Sequence, residues 1–97
     1  MKQLTIACSD DIEDRVIALL DEAGVEGYIR LGDATGNKFT ERGEAYRVMT
    51  WPATILLVPG VPDDGVTRVV SSLQRYAASC TTDPCLRVVV ASVDEVL

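Results

Sequence analysis

Cys80 and Cys85, separated by Thr81-Thr82-Asp83-Pro84, are the most unusual chemical pair in the sequence. Two thiols at this spacing, with an aspartate between them, suit a soft metal ion or a reversible disulfide. The gap is wider than the two residues of zinc ribbons and thioredoxin-type motifs, and a metal site would need further ligands from Cys8 or a neighbouring chain. Inert thiols are the simpler reading, and Cys8 alternates in phase with Leu4 and Ile6, as a core residue does. The chain contains no histidine. That excludes Ser-His-Asp and Cys-His nucleophile activation and every imidazole-dependent zinc site. Asp10, Asp11, Glu13 and Asp14 form an acidic cluster that fits a hard cation, but a helix N-terminus accounts for it more simply. Gly32-x3-Gly36-Asn37-Lys38 has the small residues that let backbone N–H groups approach an anion, although a turn at the sheet edge explains it equally well.

The elements that carry these residues follow from periodicity. Residues 2–8 alternate and predict a strand. Asp10 and Glu13, three apart, predict a capping box. Ile12, Val16, Leu19, Leu20 and Ala23 then make one apolar helical stripe, with Gly24 where a C-terminal cap belongs. Val25 to Leu31 alternates again, with Ile29 and Leu31 on one face and Tyr28 and Arg30 on the other. Residues 53–58 (ATILLV) read as a central strand, punctuated by Pro59, Gly60 and Pro62, and Asp63 or Asp64 is placed to cap the next helix. That helix carries the stripe Val66, Val69, Val70, Leu73 and Ala77, and residues 86–91 form the last strand. Two helices with one apolar face each belong on the same side of a four-stranded sheet. The order β-α-β-β-α-β predicts an α+β, ferredoxin-like sandwich occupying residues 1–97 as a single domain.

Residues 32–52 interrupt this plan. They lack a clear period and read as a long loop between strands 2 and 3, the kind of segment that usually carries function. The structural alternative is a β-ribbon turning near Glu41–Gly43, with Trp51-Pro52 marking re-entry into the sheet. Composition narrows the partners. Fifteen acids against nine bases in 97 residues give a net charge of −6, which opposes nucleic acid or an anionic membrane surface as the main partner. The N-terminal apolar run is too short for a signal peptide, and nothing approaches a membrane span, so a cytoplasmic location is expected.

Two central strands with a long projecting segment between them resemble the PII-like signalling proteins. Met1-Lys2 opening a strand, Ala18–Gly27 as first helix and turn, Gly32–Asn37 where the loop leaves the sheet, and Val88–Val96 as last strand and following segment carry the match. The resemblance implies a homotrimer whose sheets pack toward the middle, with small molecules bound in clefts between subunits. It implies that the loop 33–51, with Phe39, Arg42, Tyr46 and Arg47, reports ligand state to a target protein, a membrane transporter among the options. Ligand contacts are then expected from Gly36, Asn37 and Lys38, and from Thr81, Thr82 and Arg87 around the turn before the last strand. The physics agrees on one point, since the sheet face without helices must expose apolar residues from 53–58 and 86–91.

The sequence departs from nucleotide-sensing members where residues 79–85 replace a glycine-rich, phosphate-holding turn, with Cys85 at about its basic position. It also stops at Leu97, short of an arginine-containing tail. An adenine nucleotide, bicarbonate or a metal ion are the candidate ligands, none of them dictated by the residues. The alternative reading is a metal-related or redox-responsive protein of the same fold, such as the CutA-type ion-tolerance proteins, using Cys80 and Cys85. An enzyme is not expected: the acylphosphatase-type anion loop after the first strand is replaced by acidic Cys8-Ser9-Asp10-Asp11. An RNA-recognition domain would need aromatics on the central strands, and residues 53–58 and 86–91 have none.

Overall fold

The computed structural model describes residues 1–41, 47–81 and 85–97. The element order is β1 (Lys2–Ser9), a 3-10 turn (Asp10–Ile12), α1 (Glu13–Glu22), β2 (Ile29–Glu41), β3 (Arg47–Val61), α2 (Asp63–Ala78) and β4 (Leu86–Ser92). The four strands form one antiparallel sheet in the order β2-β3-β1-β4. This is the ferredoxin-like α+β arrangement that the periodicity predicts.

Alternation along β1 turns Leu4, Ile6 and Cys8 to one face, where Leu56 and Val58 of β3 and Leu86 of β4 join them. Val16 and Leu20 of α1 and Val69 and Leu73 of α2 close this core from one side. Register across the sheet aligns Ile29, Leu57, Thr5 and Val89 in one row, and Leu31, Ile55, Ala7 and Arg87 in the next, on the face without helices. Ile29 (54%), Leu31 (50%) and Val89 (61%) are strongly exposed there. The expected uncovered apolar face therefore exists, and β2 contributes to it as well.

Several local expectations are corrected. For the described part of the 32–52 segment the ribbon alternative holds in place of the aperiodic loop: β2 and β3 extend into a two-stranded ribbon paired from Ala34↔Ala53 to Glu41↔Arg47. Backbone pairing, rather than an apolar period, organises it, so hydropathy gave no sign of order. Pro52 lies just past the end of the β1 ladder at Ser9↔Ala53, a position where its missing N–H costs no rung to β1. Pro59 and Gly60 do not end β3; the strand runs on to Val61 with a register shift opposite Lys2 and Leu4, so the punctuation marks an irregular rung. The capping box does not form, because Asp10 and Glu13 have other partners described below, and α1 starts at Glu13. Neither Asp63 nor Asp64 is the N-cap of α2. Pro62 holds that position, and Asp63 instead pairs with the Met1 amino group at 2.7 Å. Gly24 does close α1, in the left-handed region at φ 87°.

Candidate functional site at the base of the ribbon

The ribbon leaves the sheet beside the end of β1. At this point β2 shifts register between Leu31 and Ala34, and Asp33 adopts a left-handed φ of 58°, which turns the strand without a glycine. A cavity of about 420 Å³ opens here, lined by Asp10, Asp33–Thr35 and Thr50–Pro52. Its lining carries two carboxylates and, among the described residues, no basic side chain.

Asp10 is held from below. Thr54 is fully buried in the core face of β3, and its hydroxyl donates to Asp10 Oδ1 at 2.8 Å. A buried hydroxyl needs a partner, so this bond both satisfies Thr54 and turns the Asp10 carboxylate away from capping α1. Glu13 is likewise engaged. The Arg30 guanidinium donates from Nε to Glu13 Oε1 and from Nη2 to Oε2 at 3.1 Å, a bidentate pair across α1 and β2. Hydrogen bonding to Arg30 holds the Glu13 carboxyl below its ordinary pKa. The core thiol of Cys8 is pushed up to about 11, first by burial and then by the carboxylates of Glu13, Asp10 and Asp11. Asp10 and Glu13 of the acidic cluster are thus engaged by structural partners, and no group of three or more metal-ligating side chains forms among the described residues.

The two glycines proposed as an anion cradle have packing roles. A Cβ on Gly32 would lie 2.7 Å from Nη1 of Arg30, and one on Gly36 would fall inside the indole of Trp51, which crosses the ribbon there. Asn37 is exposed, and its amide donates to the Thr35 carbonyl at 3.4 Å. Lys38, opposite Met49, follows Gly36 on the same face of the ribbon. Phe39 pairs across the ribbon with Val48 and is 64% exposed. Arg47 opens β3 opposite Glu41, whereas Arg42, Tyr46 and Thr82 lie outside the described residues. Thr81 is exposed directly after Cys80, and Arg87 is on the open sheet face opposite Ala7. None of the five expected ligand residues that are described, Gly36, Asn37, Lys38, Thr81 and Arg87, lines the cavity, which is built by Asp33–Thr35, Asp10 and Thr50–Pro52.

Cys80 and Cys85 are joined by a disulfide, with Cα atoms 6.4 Å apart. The Cys85 carbonyl accepts a hydrogen bond from the Ser9 N–H at 3.0 Å, which ties this junction to the residue preceding Asp10. At the far end of the sheet a larger groove, of about 890 Å³, runs between the α1–β2 connection, the end of β3 and the start of α2. Arg68 lies in it, donating from Nε to the Ala23 carbonyl at 3.2 Å. Neither Arg68 nor Thr54 was identifiable as a site residue from pattern alone, although Thr54 is the one polar residue in an otherwise apolar run.

No protein-family model matches the chain, and a comparison with curated proteins gives no match. Solved structures do match. CPII, a nitrogen regulatory PII-like protein from Thiomonas intermedia K12, aligns in its apo form with a TM-score of 0.69 at 22% identity, over 93% of this chain and 85% of that one. The same protein bound to ADP, AMP and bicarbonate aligns with a TM-score of 0.65 at 25% identity, over 92% and 86% of the two chains. B. subtilis GlnK in complex with ATP aligns with a TM-score of 0.71 at 12% identity, over 95% and 80%. The fold is that of the PII-like proteins. In a PII-like frame the ribbon formed by β2 and β3 is the projecting segment, and the cavity marks where it leaves the sheet. Among the described residues, no helix is long and apolar enough to cross a membrane.

Proposed function

We propose that this chain is a PII-like sensor or adaptor. Three copies associate through the open sheet faces, a small effector binds in the inter-subunit clefts that include the ribbon-base cavity, and residues 33–51 act on a target protein. The observation that carries this reading is a PII-like sheet whose uncovered face exposes Ile29, Leu31 and Val89 while its β2–β3 ribbon projects beyond the core. Exposed apolar surface of this kind favours self-association. CPII in complex with ADP, AMP and bicarbonate makes an adenine nucleotide or bicarbonate the first effector to try. The cytoplasm is the proposed compartment, with regulation rather than catalysis as the role.

Light scattering during size exclusion tests the assembly, and thermal shift with ADP, AMP, ATP and bicarbonate tests the effector. A trimer mass is expected. A ligand at 100 times its Kd stabilises by about 2.7 kcal/mol, a readily measured shift for a domain of this size. A monomer at micromolar concentration, together with no shift from any of these ligands, refutes the proposal.

A further inference from the structure

We propose that Cys80 and Cys85 are a reversible dithiol–disulfide switch, exchanged by small thiols of the glutathione class, whose state sets the position of Asp10 at the rim of the ribbon-base cavity. The regulatory consequence rests on the reading of that cavity as the effector site; the exchange chemistry does not.

The disulfide lies next to the end of β1 in the chain's backbone pairing. Cys8 pairs in register with Leu86, the residue after Cys85, and both Cys8 and Cys85 are buried in the core. Cys80 is only half-buried, packed against the edge of that core at the end of α2. A dissolved thiolate therefore approaches the disulfide from the Cys80 side. It attacks Cys80 Sγ, forming a mixed disulfide and expelling Cys85 as a thiolate that takes up a proton. A second small thiol then attacks the small-molecule sulfur of the mixed disulfide, releasing Cys80 as a thiol and leaving as the oxidised small disulfide. Two electrons and two protons reach the chain, two small thiols are oxidised, and the small disulfide reverses both steps.

The third cysteine is kept out of this exchange. Burial and the surrounding carboxylates of Glu13, Asp10 and Asp11 leave the Cys8 thiol protonated at neutral pH, so it supplies no thiolate to intercept Cys85. The pair re-forms as it was.

The link to the cavity runs along one rung. The β1–β4 ladder ends at Cys8↔Leu86, and beyond it the Ser9 N–H to Cys85 carbonyl bond, 3.0 Å, is the last connection on the β4 side before the chain turns at Asp10, with Ser9 paired to Ala53 of β3 on the other side. The disulfide holds Cys85 against the end of α2, and through that rung it holds Ser9. Asp10 follows directly, with its carboxylate on the Thr54 hydroxyl and its side chain in the cavity wall. Reduction removes the covalent hold on Cys85, the terminal rung opens more often, and the Asp10 wall moves with it.

The test uses the wild-type chain equilibrated with mixtures of reduced and oxidised glutathione, and separately with a phosphine reductant. Native alkylation followed by mass spectrometry should count two labels under reduction, on Cys80 and Cys85, with Cys8 unlabelled. Hydrogen exchange of the amides at residues 9–12 should accelerate at least tenfold on reduction, while residues 4–6 stay unchanged. Cys80→Ser should show the accelerated exchange without reductant and no further change with it. A folded chain that resists labelling makes the disulfide a fixed staple and overturns the proposal. Labelling at Cys8, or two labels with unchanged exchange at residues 9–12, overturns it as well. These readouts contain no effector, so failure of nucleotide and bicarbonate to bind refutes the functional reading and leaves the switch standing.

Discussion

Replacing Cys80 with serine isolates what the disulfide contributes to stability. The bond closes a loop of sequence separation 5, between the end of α2 and the start of β4. A ring of about six residues removes unfolded-chain entropy equivalent to about 2 kcal/mol at room temperature in the loop-closure model. For a domain near 100 residues that corresponds to a Tm lower by roughly 10 °C. Cys80 is the better site to change, because it is half-buried, whereas Cys85 is 5% exposed and a serine there would add a buried hydroxyl. The Cys85 thiol left behind packs as a small apolar group. Thermal and urea unfolding of wild type and Cys80→Ser, each with and without reductant, complete the experiment. Reductant should lower the wild-type Tm to that of the variant and leave the variant unmoved. A fall of less than about 3 °C in the variant would show that the turn is already constrained without the bond, and the loop-entropy reasoning would fail.

Gly36→Ala should displace the Trp51 indole, shift the emission of the chain's single tryptophan and cost about 1–3 kcal/mol in urea unfolding, as overpacking does. The Glu13 carboxyl has a lowered pKa in the folded chain, so its pairing with Arg30 contributes above the ordinary carboxylate pKa and is lost as pH falls through the folded value. Glu13→Gln should flatten that acid limb of a stability-versus-pH curve while costing under about 1 kcal/mol at neutral pH, since Arg30 is half-exposed. Cys8 has the opposite sign: its pKa of about 11 lies above the unfolded thiol, so stability is full below about pH 8.5 and falls as pH rises toward 11. Cys8→Ala should start less stable and lose that alkaline fall, read by unfolding between pH 8 and 11. Val89→Glu, on the open face, should give a monomer by light scattering with unchanged far-UV circular dichroism, and a trimer that survives it would move the interface elsewhere.

The fold was readable because two signals agreed at each element. Leu4, Ile6 and Cys8 alternate, Val16 and Leu20 recur at helical spacing, and the structure buries these same residues in one core. The ribbon was harder to read. A two-stranded extension with both faces exposed has no buried face to impose alternation, so Gly36, Phe39 and Thr50 leave no hydropathy trace even though their backbones are paired. The caps failed for a different reason. Ser9-Asp10-Asp11-Ile12-Glu13 is locally consistent with a capping box, but Thr54, 44 positions away, needs a buried acceptor and Arg30 needs a carboxylate. A long-range demand on Asp10 and Glu13 overrode the local preference, and a single sequence offers no pairing information by which to foresee it.

The expected ligand residues Gly36, Asn37 and Lys38 lie beside the ribbon-base cavity rather than in its wall. Gly32, Gly36 and Lys38 were candidates because small and basic residues fit an anion, and the chain does place a cavity beside them. Yet Gly32 is small to admit the Arg30 guanidinium, and Gly36 is small to admit the Trp51 ring. Once those two side chains occupy the glycines, the open wall passes to Asp33, Thr35, Thr50 and Asp10, whose chemistry is acidic and hydroxylic. Two carboxylates disfavour phosphate at this wall, so any anionic effector must find its counter-charge outside it. The Arg30 guanidinium lies near Asp10 and Asp33 but is held in its bidentate pair with Glu13, so under the proposed trimer a neighbouring subunit is the place to look for further positive charge.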